Sequence, residues 1–368
     1  MYFNQLAAKS LLLIGLTLGM VGCSRAPDPQ DDIPLFKTFI AENIDKVSDD
    51  PYISSTVKPG DKMYELILHA QHGRWDDDEE ERWLDLINQN NTEAMIWYGR
   101  ILTVSLQYRS QGYQLIHRAM LEGDPYAALW LSNQSQECLD EFGVDSPSNE
   151  LAEMAGLDSP VDSDVCSKDN FTKAVKGFEK LAAEGDLRAQ YFLLKQKHWD
   201  KSKETRADYI HEIIRFAEAH YYQPLMDYVG TILYYSEEAQ KDVSNSQEQH
   251  ELAIQLLSIA SNYNYIPAIE KLHFAVTNKD KRNQLFNKSM LLGDVKMIRY
   301  KYYQMQDGSP KQYYYNVIMK ELSGDYVFRA RDLKEELEVK KQAITFVKSI
   351  HSSIYIDGFT HRDDWHSL

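Results

Sequence analysis

The chain has 368 residues and is strongly acidic: 40 Lys and Arg face 56 Asp and Glu, for a formal net charge of −16. That balance excludes a binder of nucleic-acid backbone, which needs a basic surface, and argues against electrostatic docking on anionic lipid. It suits solubility and would attract a basic protein partner. The length allows either one large core or a string of small ones.

In chain order, Lys9 supplies a positive start and Leu11–Met20 an apolar run. The run is too short to span a bilayer, which takes about 20 residues, so residues 1–22 read as a cleaved signal peptide. Met20-Val21-Gly22-Cys23 resembles the lipobox of bacterial lipoproteins, with Met where Leu is usual. The resemblance implies cleavage before Cys23 and acylation of Cys23 by palmitate-like chains, which hold a protein firmly on a membrane. It also implies a cell-envelope location facing the periplasm. Ser24 after the cysteine points to the outer rather than the inner membrane. Loss of Lys9 takes the mature chain to −17. Residues 23–33, rich in Pro and Asp, read as a flexible tether.

Residues 34–83 read as an N-terminal helical segment, with Pro34–Val47 and Lys62–Gln71 as helices and a third from Trp75 to Asn88. Pro34 suits a first helical turn. The acidic run Asp76–Glu81 lacks the spaced oxygens and Gly turn of a calcium loop and reads as a dipole-matched helix start. His69 and His72 share a helix face, but no further ligand adjoins them in sequence. His211-Glu212-Ile-Ile-Arg215 breaks the HExxH pattern at its last position. No metal site is expected.

From residue 84 to 335 a phrase recurs: an apolar helix end, Gly-Asp, then a new helix. Its clear copies turn at Gly123-Asp124, Gly185-Asp186, Gly293-Asp294 and Gly324-Asp325, and looser ones at Asn90, Tyr221 and Asn264. Gly or Asn accepts the left-handed backbone that ends a helix, and the following Asp caps the next one. Four residues after the turn stand Ala94, Ala127 and Ala189, small enough to let helices approach closely. Most turns are 29 to 43 residues apart, one helical hairpin each. The phrase Ala182-Ala-Glu-Gly-Asp-x-x-Ala-Gln-Tyr191, with Ala94-x-x-x-Tyr98-Gly99, resembles the Sel-one-like repeat family, a relative of the tetratricopeptide repeat. Gly99 keeps the family's later glycine, whereas Ser132 and Leu194 replace it in other copies. The resemblance implies an all-α fold, an α/α solenoid of degenerate helical-hairpin repeats, about six of them, whose concave face binds other proteins.

The longest gap between turns holds Cys138 and Cys166. Residues 134–169 read as an inserted loop with a short helix at Asn149–Gly156. In an oxidising periplasm the two cysteines are expected to pair, closing a loop of about 29 residues for roughly 3.5 kcal/mol in the chain-entropy view. Residues 326–356 carry a charged final helix with Leu333, Leu337, Ile344, Val347, Ile350 and Ile354 on one side. From 336 this helix and a polar tail to 368 are expected to cap the array.

No GxSxG, GxxxxGK[ST] or GxGxxG occurs, so neither enzymatic activity nor a cofactor is expected. Tyr300, Tyr302, Tyr303, Tyr313, Tyr314 and Tyr315 are candidate protein-binding residues, because tyrosine offers large contact area for little entropy. Packing between helices is the competing use. The expected function is a membrane-tethered protein-binding scaffold. Lipoproteins with such repeats resemble immunity proteins against type VI phospholipase-like toxins, which implies a basic toxin as partner. The alternative is an envelope-assembly or regulatory lipoprotein that positions a cell-envelope enzyme.

Overall fold

A computed structural model describes residues 27–49, 57–157, 165–238, 243–324 and 333–365. The expected signal peptide 1–22, the lipidation candidate Cys23 and the cap candidate Asp325 lie outside these residues. The fold is all-α, and among the described residues the one β-type pairing is an isolated bridge between Ser132 and Ser167.

The recurring turn is a single geometry used repeatedly. Gly123, Gly185, Gly293 and Gly324 take positive φ, as do Asn90, His220 and Asn264. The N–H groups of Asn91, Asp124, Asp186, Tyr221, Tyr265 and Asp294 donate to the carbonyls of Leu86, Ala119, Leu181, Phe216, Ala260 and Ser289 at 2.9–3.2 Å. That bond closes the last turn of each preceding helix. The turn expected at Tyr221 is centred one residue earlier, on His220. Asp124 then accepts from the N–H groups of Tyr126 and Ala127, Asp186 from Arg188 and Ala189, and Asp294 from Met297. Ala94, Ala127 and Ala189 are fully buried, as their role in close helix approach requires.

Helices α1 (Pro29–Asn43), α2 (Lys62–His72) and α3 (Glu79–Asn88) precede α4 (Thr92–Thr103), α5 (Arg109–Leu121) and α6 (Pro125–Trp130). An insertion carries α7 (Gln136–Phe142) and α8 (Pro147–Met154). The array resumes with α9 (Lys168–Ala183), α10 (Leu187–Gln196), α11 (Lys203–Glu218), α12 (Gln223–Glu238), α13 (Val243–Asn262) and α14 (Ile266–Ala275). It ends with α15 (Lys279–Leu291), α16 (Val295–Gln304), α17 (Pro310–Ser323) and α18 (Leu333–Val347). Most helices of the array pack on a neighbour in sequence, α6 packs directly on α9 across the insertion, and α1 packs on α11 and α13. The α4–α5 crossing is close: a Cβ on Gly112 would stand 2.5 Å from the Gly99 carbonyl oxygen.

Three expectations are corrected. The tether does not run to residue 33, because α1 begins at Pro29, capped by Asp28. Pro34 therefore sits inside the helix. Asp32 is buried against Arg206 (2.6 Å) and accepts from the Tyr228 hydroxyl (2.9 Å), while Phe36 and Phe39 enter the core between α11 and α13. Residues 134–169 are not simply a loop. Ser135 and Ser146 cap α7 and α8, and Phe142 packs inward near Trp130. Finally, the last helix stops at Val347, and the chain beyond it is no polar tail. Residues 350–365 fold back as a strap, extended to Asp357 and then turning into a short 3-10 helix at Arg362–Asp364, and its Ile354, Ile356 and Trp365 are buried. Successive residues of an extended segment point to opposite sides, so Ser353 and Ile354, and Ile356 and Asp357, are all buried here.

Candidate binding groove

The helices that follow the turns, α4, α6, α10, α12, α14 and α16, share one face, and the strap lies along it. Main-chain groups of the strap are read by side chains of the body. Tyr64 donates to the Ser352 carbonyl (2.9 Å) and Gln71 to that of Ser353 (3.0 Å). The Gln71 amide oxygen accepts from the Tyr355 N–H (2.8 Å). Further on, Arg100 donates to the Thr360 carbonyl (2.6 Å) and Lys296 to that of Asp364 (2.9 Å). Gln71 and Arg100 are themselves buried, so their bonds are made in a region that excludes water.

Side chains complete the grip. Trp365 packs against Trp97 with ring centroids 4.8 Å apart, under the Arg100 guanidinium at 4.7 Å. Phe359 sits among Tyr126, Phe178 and Phe192 at 4.8–5.6 Å. Arg100 also pairs with Glu137, to which Trp130 and the Arg362 N–H donate as well. Burial alone would raise the Glu137 carboxyl, but Arg100 and these hydrogen bonds hold it at about 2. Arg362 in turn pairs with Glu141 (3.0 Å).

Between the strap and α10, α12, α14 and α16 lies a cavity of about 620 Å³. Its walls mix aromatic rings such as Tyr191, Tyr265 and Phe359 with Lys195, Lys271 and Glu270. Burial and the adjacent Asp294 push the Glu270 carboxyl well above the usual carboxylate range. A smaller space of 260 Å³ is lined by Asp357 and Gly358 of the strap with Trp97 and Asp186.

The residues singled out from sequence are dispersed. Cys138 and Cys166 are bridged, with Cα atoms 5.9 Å apart, and staple the insertion. Gly293 and Asp294 lie at the groove, and Gly293 touches the strap: a Cβ there would meet Ser352 Oγ at 2.3 Å. The tyrosines do not form one exposed strip. Tyr302 is buried, Tyr300, Tyr313, Tyr314 and Tyr315 are half-buried against the same cluster, and Tyr303 stands 64% exposed.

Sequence reading missed two features. The strap is hidden in the sequence because Ile350 and Ile354 read as one face of the final helix, and Phe359 and Trp365 as part of a polar tail. The other is a group that could hold a metal ion: His69, Asp76 and Glu79 offer ligand atoms within 4.8 Å of one another. His69 Nδ1 is 3.1 Å from Glu79 and 3.8 Å from Asp76. Both carboxylates are already engaged, since Arg74 donates to Asp76 (2.8 Å) and the Asp76 N–H donates to Glu79 (3.1 Å). These bonds tie the approach to the helix start, and His72 takes no part in them.

In comparisons with known proteins, no family model, curated protein or solved structure matches this chain.

Proposed function

We propose that this protein is a lipid-anchored scaffold of the bacterial envelope, held through Cys23 and facing the periplasm, whose helical array binds another protein. The observation that supports the reading is the grip on residues 350–365. An array that holds the main-chain carbonyls of one segment through Tyr64, Gln71, Arg100 and Lys296 already uses the chemistry of polypeptide recognition. The acidic charge selects for a basic partner. Within that class the reading is an immunity protein that neutralises a basic, phospholipase-like toxin delivered to the periplasm.

Two experiments test it. Cys23→Ser should release the protein from the membrane fraction, and continued membrane association would show another anchor. Cells lacking the gene should be killed by neighbours that deliver a phospholipase-like toxin to the periplasm, and should be rescued by the intact gene. Unchanged survival without the gene would overturn the immunity reading.

A further inference from the structure

The stapled insertion presents an unusual surface. Four large apolar side chains stand exposed within sixteen residues of it: Leu139 (37%), Val144 (77%), Leu151 (52%) and Met154 (78%). Leu151 and Met154 are three apart on α8 and share its outer face, while Ala152 faces inward, fully buried. Residues 136–157 contain no Lys, Arg or His. Two of their carboxylates, Glu137 and Glu141, turn inward to Arg100 and Arg362. Asp140, Asp145, Glu150 and Glu153 remain outside, exposed among the apolar chains.

The surface is also held rigid. The Cys138–Cys166 bridge ties α7 to the start of α9. Buried Arg109 reaches in from α5, donating to the carbonyls of Ser148 and Glu141 and to the Asn149 side chain, with its guanidinium 5.0 Å from the Phe142 ring. A disulfide and three arginines thus fix a short segment that leaves apolar groups in water. Exposed apolar groups rimmed by charge mark interaction sites, and a preorganised surface loses less entropy when it binds.

We propose that the outer face of α7–α8 is a docking surface for a cationic amphipathic segment of a partner protein, one that presents apolar side chains flanked by Lys or Arg. The carboxylates supply the charge match, and Leu151 with Met154 supplies the apolar anchor. Met in particular adapts to the shape of what it meets. The inference rests on the protein-binding reading and names where the partner lands.

The test uses the full chain in detergent, a fluorescent amphipathic Lys/Leu peptide, and a Lys/Ser peptide of equal charge. Wild type should bind Lys/Leu at least tenfold more tightly than Lys/Ser. Leu151→Ser with Met154→Ser should abolish that preference, leaving Lys/Ser binding and the unfolding midpoint unchanged. Asp145→Asn, Glu150→Gln and Glu153→Gln together should flatten the salt dependence. Equal binding by wild type and the Leu151/Met154 variant overturns the proposal. So does self-association of the wild type, or its binding to phosphatidylcholine vesicles, if the variant loses it. Capture of a purified basic phospholipase-like toxin separates this from the immunity reading: retained capture by the variants sinks this surface alone, whereas no capture by wild type sinks the immunity reading.

Discussion

Two buried groups make single residues consequential. Glu137 compensates Arg100, and both are shielded from water. Glu137→Ala should cost roughly 3–5 kcal/mol by leaving a buried cation unpaired, read as a lower urea midpoint. Replacing Arg100 and Glu137 together by Met and Leu should recover much of the loss. His72 is the second. Burial lowers it to about 4, with the neighbouring His69 acting in the same direction. A folded-state pKa below the unfolded value of about 6.5 means stability that is present above pH 6.5 and lost as pH falls toward 4. Glu137, held at about 2, adds the same sign lower down, from about 4.5 to about 2. These two groups pull the thermal midpoint down below pH 6.5, against the opposite contribution of Glu270, whose raised carboxyl favours the fold as pH drops. His72→Asn should flatten the first part of that fall, and an unchanged profile in the variant would refute the assignment.

At the scale of elements, two left-handed glycines separate turn strain from packing. Gly123→Ala meets no atom within 4 Å, so it should cost only the backbone strain of its positive φ, about 1 kcal/mol. Gly293→Ala adds a collision with Ser352 and should cost clearly more, with faster hydrogen exchange in the strap. Equal losses would mean that the strap yields freely. The turns were legible in the sequence because their chemistry is local: glycine or asparagine, then a capping carboxylate, within a few residues. The docking of α1 was not, since it depends on Asp32 meeting Arg206 across 174 positions. The groove was half legible. Its helices followed from the repeat, but its occupant depends on contacts such as Arg100 with Thr360, 260 positions apart. The insertion's charge was plain in its composition, whereas the inward turn of Glu137 and Glu141 required the arginines of other elements.

At the scale of the molecule, the strap joins clusters that the array alone would keep apart. Ile350 packs on the core of α15–α17, Tyr355 on that of α10–α14, Phe359 on that of α9–α10, and Trp365 on that of α2–α6. Trp365→Ala should lose about 3–5 kcal/mol and should loosen regions remote from it, seen as hydrogen exchange rising in α4. Loss confined to residues near 365 would show that the strap does not couple the clusters. Reduction of Cys138–Cys166 acts on the other long connection. It should lower stability by roughly 3.5 kcal/mol, and the oxidised, unfolded protein should show no free thiol from this pair.

The strap also bears on elasticity. An open stack of helical hairpins behaves as a spring, because small rotations between neighbours add up along its length. Here residues 350–365 run beneath the stack as a string runs beneath a bow, from Leu291 at one end to Trp97 near the other. A strung bow has one curvature. Any protein that this one engages must match a fixed outline rather than mould a pliant one, and force applied along the array would first meet the string.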